Sequence, residues 1–183
     1  MATARRPVRS IAVTSNADTP YSATPFAATL VLDTSGVVAL YDASAEAHPG
    51  AVEAVRVAAM RLVPAAILAE IDYMLGARLS PAAARDFLHA VESGFFMIEA
   101  FTREDAVYCR VLLEKYASLD LGLADAAVMA VAERHHAPDV LSLDRRHFET
   151  VRPAAFAAFR LWPEYSPRVA TPRRSAGRKA SRQ

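Results

Sequence analysis

A chain of 183 residues that is 53% hydrophobic can bury a sizeable core in one domain and a little more, and no apolar run approaches the ~20 residues that cross a bilayer. Its single cysteine, Cys109, excludes an intrachain disulfide, fits a reducing cytoplasm, and reads as a small buried apolar residue on a helix. The formal charge of +1 hides an asymmetry: Thr29 to Pro167 holds 12 basic against 19 acidic residues, net −7, whereas Arg168 to Gln183 holds six basic residues and no acid. An acidic body that must approach a polyanion needs cations, either its own arginines or bound metal.

Residues 1–28 are rich in Ala, Thr, Ser and Pro and carry Arg5, Arg6 and Arg9 without the apolar block of a secretory signal. They read as a disordered or loosely attached extension, residues 29–165 as the folded domain, and 166–183 as a basic disordered tail. The domain opens on an apolar strand, Leu30 to Leu32, that stops at Asp33, and a small-residue turn leads into a helix from Ser35 to Ser44. After a break around His48-Pro49-Gly50, the spacing predicts a helix over Ala51 to Ala59, a short strand at Arg61-Leu62-Val63, and a helix with Pro64 in its first turn that ends near Gly76. Ser80-Pro81 reads as an N-cap with proline at the first helical position, and Ser93-Gly94 closes that helix.

A strand is expected over Phe95 to Phe101. Thr102 with Asp105 resembles a capping box opening a helix whose predicted apolar face is Ala106, Val107, Val111, Leu112 and Tyr116. Leu123 to His136 is strongly helical, Val140 to Leu143 is a strand ending at Asp144, and Ala158 to Trp162 is a last strand. Strands alternating with helices argue for a mostly parallel sheet covered on both faces, with the strand order left open.

Four acids stand where a carboxylate has no simple packing role: Asp33 and Asp144 at strand ends, Glu70 on the third helix, and Asp125 one turn into the late helix. Parallel strands deliver their carboxyl ends to one edge, where ligands of open α/β folds sit. Clustered carboxylates repel unless a cation compensates, and hard divalent cations prefer oxygen donors. A cation held so can activate water for displacement at phosphorus without any nucleophilic side chain. Each acid also has a purely structural reading, as an N-cap for Asp33 and Asp144, a helix-dipole partner for Asp125, and a surface residue next to Asp72 for Glu70.

Leu32-Asp33-Thr34-Ser35-Gly36, Leu68-Ala69-Glu70-Ile71-Asp72-Tyr73, Leu119 to Ala127 and Leu141 to Phe148 stand in the order and at the intervals of four motifs. In this the chain resembles the PIN-domain ribonucleases, and within them the VapC-type toxins of toxin–antitoxin pairs. The resemblance covers Leu30 to Trp162. It implies an α/β fold, a three-layer α/β/α sandwich, with Mg²⁺-dependent (or Mn²⁺-dependent) endonucleolytic cleavage of RNA, a homodimer, and neutralisation by a cognate VapB-like antitoxin.

Carried over residue by residue, the resemblance makes Asp33 and Asp125 direct metal ligands. Glu70 and Asp144 become catalytic acids that hold water or a second ion, and Asp120 an N-cap or outer acid at the pocket mouth. Thr34 and Ser142 become partners of a carboxylate or of the scissile phosphate, and Arg145 becomes a contact to RNA phosphate. His135, His136 and His147 are not expected at an oxygen-donor site. Two other readings remain open: a PIN nuclease of RNA maturation or DNA flap cutting, and a non-catalytic nucleic-acid-binding module.

Overall fold

Leu30, Val31 and Leu32 are wholly buried, as a strand covered on both faces must be. They belong to β1 (Thr29–Leu32), the centre of a five-stranded sheet with β2 (Met60–Pro64), β3 (Met97–Glu99), β4 (Asp139–Leu141) and β5 (Arg160–Trp162). The order is β3-β2-β1-β4-β5 and every pairing is parallel. The structure, a computed structural model, describes residues 29–164; the sequence-predicted extension and basic tail lie outside the described residues.

The helices are α1 (Thr34–Tyr41), α2 (His48–Val57), α3 (Leu68–Arg78), α4 (Pro81–Glu92), α5 (Arg103–Lys115), α6 (Leu123–Arg134) and α7 (Arg145–Thr150). Helix α1 packs on α2 and α3, and α3 on α4, while α5 pairs with α6, which lies on β1 and β2. Right-handed crossovers account for these two layers: connections from β1 toward β3 run over one face, and the return from β3 to β4 runs over the other. The result is an α/β/α sandwich. Because the chain leaves β1 in one direction across the sheet and β4 in the other, the topological switch point lies between these two strands.

The structure revises several predicted elements for identifiable reasons. Pro64 ends β2 in extended geometry (φ −61°, ψ 130°), and a 3₁₀ turn, Ala65–Ile67, intervenes before α3. Helix α3 runs through Gly76 to Arg78; it stops because Ser80 must be extended ahead of Pro81. Phe95 and Phe96 do not join β3 but stack in an aromatic cluster, Phe96 lying 5.6 Å from Phe87 between ring centroids. On α5 the buried residues are Asp105, Cys109 and Leu112, leaving Val107 and Val111 about half exposed. The Thr102–Asp105 capping box is present in both directions. Cys109 is buried as expected, and burial pushes its thiol up to about 11.

Two contacts lock the sheet where it matters. Asp139, wholly buried at the start of β4, is held by the Arg160 guanidinium and by the Trp162 indole N–H at 2.9 Å, which ties β5 to β4. At the other end, α1 passes so close to β4 that a Cβ on Gly36 would lie 2.2 Å from the Leu141 carbonyl oxygen, the same oxygen that accepts the Asp33 N–H at 3.0 Å. Neither backbone can retreat without breaking that bond. Gly36→Ala is therefore expected to destabilise the fold by about 2–3 kcal/mol, measured by urea denaturation; Gly76→Ala, which meets nothing within 4 Å, serves as the control.

Candidate active site

The parallel register places Leu32 of β1 opposite Leu141 of β4, so the two residues that follow, Asp33 and Ser142, emerge side by side at the switch point. Both are buried, 6% and 1% exposed. The Ser142 hydroxyl donates to Asp33 Oδ2 at 2.8 Å, and the Ser35 hydroxyl donates to the same oxygen at 2.6 Å. Each hydroxyl has one proton, so both are spent on Asp33, and the 3.3 Å approach of Ser35 Oγ to Ser142 Oγ is proximity rather than a bond. The two oxygens accept in turn from backbone N–H groups of the β4–α7 loop, Ser35 from Leu143 at 2.9 Å and Ser142 from Asp144 at 3.0 Å. Ser142 is thereby committed to holding Asp33 and the loop, not turned toward a substrate. Ser35, which reads in sequence as a turn residue, is the missed member of this set; a serine two positions after an aspartate carries no sequence signal of its own.

Asp33 occupies the N-cap position of α1 but makes no side-chain capping bond, and Asp144 does likewise at α7. Asp125, in the first turn of α6, does accept the Gly122 N–H at 3.2 Å with Oδ2. Glu70 lies exposed in the first turn of α3. Four elements thus send one acid each to a single cleft of about 390 Å³, lined by Asp33, Glu70, Asp125 and Asp144 together with Thr34 and Arg78. A larger hollow of about 640 Å³ runs along α5, but its lining is apolar apart from Arg110 and Glu114, and it offers no convergent donors.

Burial, then the charge of Asp125, push the Asp33 carboxyl above its ordinary range, against the opposing pull of the Ser35 and Ser142 hydroxyls. Arg78, at the end of α3, is the one basic residue in the lining, against five acids, Asp42 at the end of α1 being the fifth. Arg145 does not line the cleft; it pairs with Glu149 at 2.8 Å on the α7 surface. Asp120 takes a left-handed conformation (φ 58°), is exposed, and is not part of the lining; the N-cap of α6 is Gly122 instead.

The residue least expected here is His147. Its place in the first turn of α7 puts Nδ1 3.2 Å from Asp144 Oδ2 and 3.3 Å from Asp125 Oδ2. Nδ1 is buried yet aligned for a hydrogen bond with neither oxygen, and Thr34 Oγ1, in the same cleft, is also buried without a partner. Asp125, Asp144 and His147 offer ligand atoms all within 4.8 Å of one another. Converging carboxylates and orphaned buried donors are what a divalent cation would satisfy, so the donor set fits one.

Comparison with known proteins bears on the family and the fold. Residues 30–152 match the sequence model of the PIN domain. Ribonuclease VapC26 of Mycobacterium tuberculosis is 29% identical over 135 residues, spanning 73% of this chain and 100% of the relative. The crystal structure of VapC20 from Mycobacterium tuberculosis, described as a sarcin-ricin loop cleaving toxin, superposes with a TM-score of 0.62 at 18% identity, covering 70% of this chain and 99% of that one. VapBC2 from Rickettsia felis, bound to a DNA fragment from its promoter, gives 0.54 at 17% identity, covering 73% and 98%. These two structural likenesses concern the fold alone. With the family model matched across most of the folded chain, and with VapC-type relatives covered over nearly their full length, this chain belongs to the PIN-domain family.

Proposed function

We propose that this chain is the toxin of a VapBC-type pair and a metal-dependent endoribonuclease. The observation that carries the reading is the convergence of four carboxylates, from four separate elements, on one cleft at the switch point of the sheet. Asp33 and Asp125 would hold the cation, Mg²⁺ or Mn²⁺. Once bound, it supplies the charge that activates water and offsets the negative phosphodiester. Ser35 and Ser142 fix the Asp33 carboxylate so that its direction does not depend on the ligand. Glu70, exposed in the cleft lining, would orient water and accept a proton. Arg78 is placed to meet an RNA phosphate, and Thr34 offers a hydroxyl inside the cleft. The relatives' names support the RNA substrate and the antitoxin partner. The homodimer belongs to the same proposal.

Water as the attacking group, rather than a ribose 2′-hydroxyl, predicts cleavage products with a 3′-hydroxyl and a 5′-phosphate. Asp33→Asn and Asp125→Asn are each expected to lower the cleavage rate on structured RNA by more than about 100-fold, beyond the usual effect of losing an outer-shell partner, and chelation should abolish it. Full activity in either variant would exclude the assignment.

Stability gives Asp33→Asn a second readout. Because the folded state raises the Asp33 carboxyl, it binds that proton more tightly than the unfolded chain does. The resulting stabilisation is complete below the ordinary carboxylate range and is lost as pH rises through the raised value. With chelator at neutral pH, Asp33→Asn should therefore melt above the wild type, and the gap should close in acid. An inactive variant that melts higher cannot owe its inactivity to misfolding.

Arg78 is tested by RNA binding in the Asp33→Asn background. Arg78→Ala should weaken binding across RNA sequences alike and reduce the salt slope by about one phosphate contact. An unchanged slope would remove Arg78 from the RNA interface.

A further inference from the structure

We infer that His147 is a nitrogen ligand of the cation, which makes the pocket a mixed nitrogen–oxygen site that takes Mn²⁺ in preference to Mg²⁺. This rests on the metal-dependent reading above and adds a donor of a different chemical kind.

The argument starts from α7. Its N-cap, Asp144, and its third residue, His147, lie on one side of a single turn, so their side chains meet (3.2 Å) whenever the helix forms. Packing brings Asp125, from the start of α6, to 3.3 Å from the same nitrogen. The His147 side chain is 12% exposed, so water does not substitute freely for a partner. A structural role would give Nδ1 a carboxylate in line with its N–H. Nδ1 instead lies close to two carboxylates and aligned with neither. Metal–donor bonds of about 2.0–2.2 Å put adjacent octahedral donors roughly 3 Å apart, close to the two separations observed. Beside the cleft, Nδ1 and the two carboxylates thus offer ligand atoms within 4.8 Å of one another, and both nitrogen–oxygen separations match those of neighbouring donors on one ion. Thr34 Oγ1, in a side chain 4% exposed, is a second unpartnered polar atom in the same lining.

Donor chemistry then sets selectivity. Mg²⁺ favours an all-oxygen, partly hydrated sphere, whereas imidazole suits first-row transition ions. An oxygen-only cleft would leave Mg²⁺ and Mn²⁺ poorly distinguished; one imidazole shifts the preference to Mn²⁺.

The test uses the full chain, loaded with Mn²⁺ alone and then competed with Mg²⁺, and read by electron spin echo spectroscopy and by titration of free Mn²⁺. Wild-type protein is expected to show ¹⁴N coupling to bound Mn²⁺. His147→Gln, which keeps the bulk and should keep the melting profile, is expected to lose that coupling and to lower the Mn²⁺-over-Mg²⁺ affinity ratio at least tenfold. Arg146→Ala, at an exposed position of the same helix outside the cleft lining, serves as a folded control. Bound Mn²⁺ without nitrogen coupling, or coupling that survives in His147→Gln, would overturn the assignment while leaving an oxygen-donor nuclease intact. Failure of either ion to bind the wild type would overturn this inference and the metal-dependent function together.

Discussion

The site depends on placing a carboxylate out of water at the mouth of a parallel sheet. Asp33 is 6% exposed and faces the charge of Asp125, and both conditions oppose its ionised form. Parallel pairing is what makes the placement unavoidable. With Leu32 in register with Leu141, the next residue of each strand must leave the sheet at the same corner. The fold answers with two hydroxyls on one oxygen, each anchored by a backbone N–H of the β4–α7 loop. The same corner is where Gly36 lets α1 touch the Leu141 carbonyl. A single loop position thus couples strand register, the entry of α1, and the direction of the carboxylate. Such coupling suits a site that must be shaped before its ligand arrives.

Much of this was legible from the residues, because the signals were local. Wholly apolar triplets ending in aspartate mark β1, a serine–proline pair marks the start of α4, and a threonine with aspartate three residues later marks the start of α5. Alternation argues for a mostly parallel sheet covered on both faces, and the three-layer sandwich is what the family resemblance implies. Strand order was not legible: crossovers of similar length serve either neighbour, and the central position of β1 appears only in the pairing. The exposure of Val107 and Val111 was illegible for a related reason. Valine at helical spacing says that a face is apolar, but packing against α6 selects the face carrying Asp105 and Cys109 instead.

At the site, sequence identified acids by position but could not say what else would reach them. Arg145, next to Asp144 in the chain, turns away to Glu149, whereas Arg78, 66 positions earlier, lines the cleft. Helical geometry explains the exchange. A side chain one residue past an N-cap points across the helix from the cap, while one three residues past returns to it. That return also brings His147 back to Asp144, an outcome that oxygen-donor reasoning about the cation argued against.

Charge balance links the parts. The cleft gathers five carboxylates on a body that is acidic overall, and it supplies one arginine. RNA cannot enter such a pocket favourably until a cation has reduced its charge, so on the proposed function cation and RNA favour each other's binding. That coupling is reciprocal: whatever factor the cation adds to RNA affinity, RNA phosphate adds to cation affinity. A protein partner that brought a guanidinium into the cleft would satisfy the same carboxylates, and it would oppose both ligands at once. Neutralising such a nuclease then requires no distortion of its fold, only a competing positive charge at the corner where β1 and β4 end.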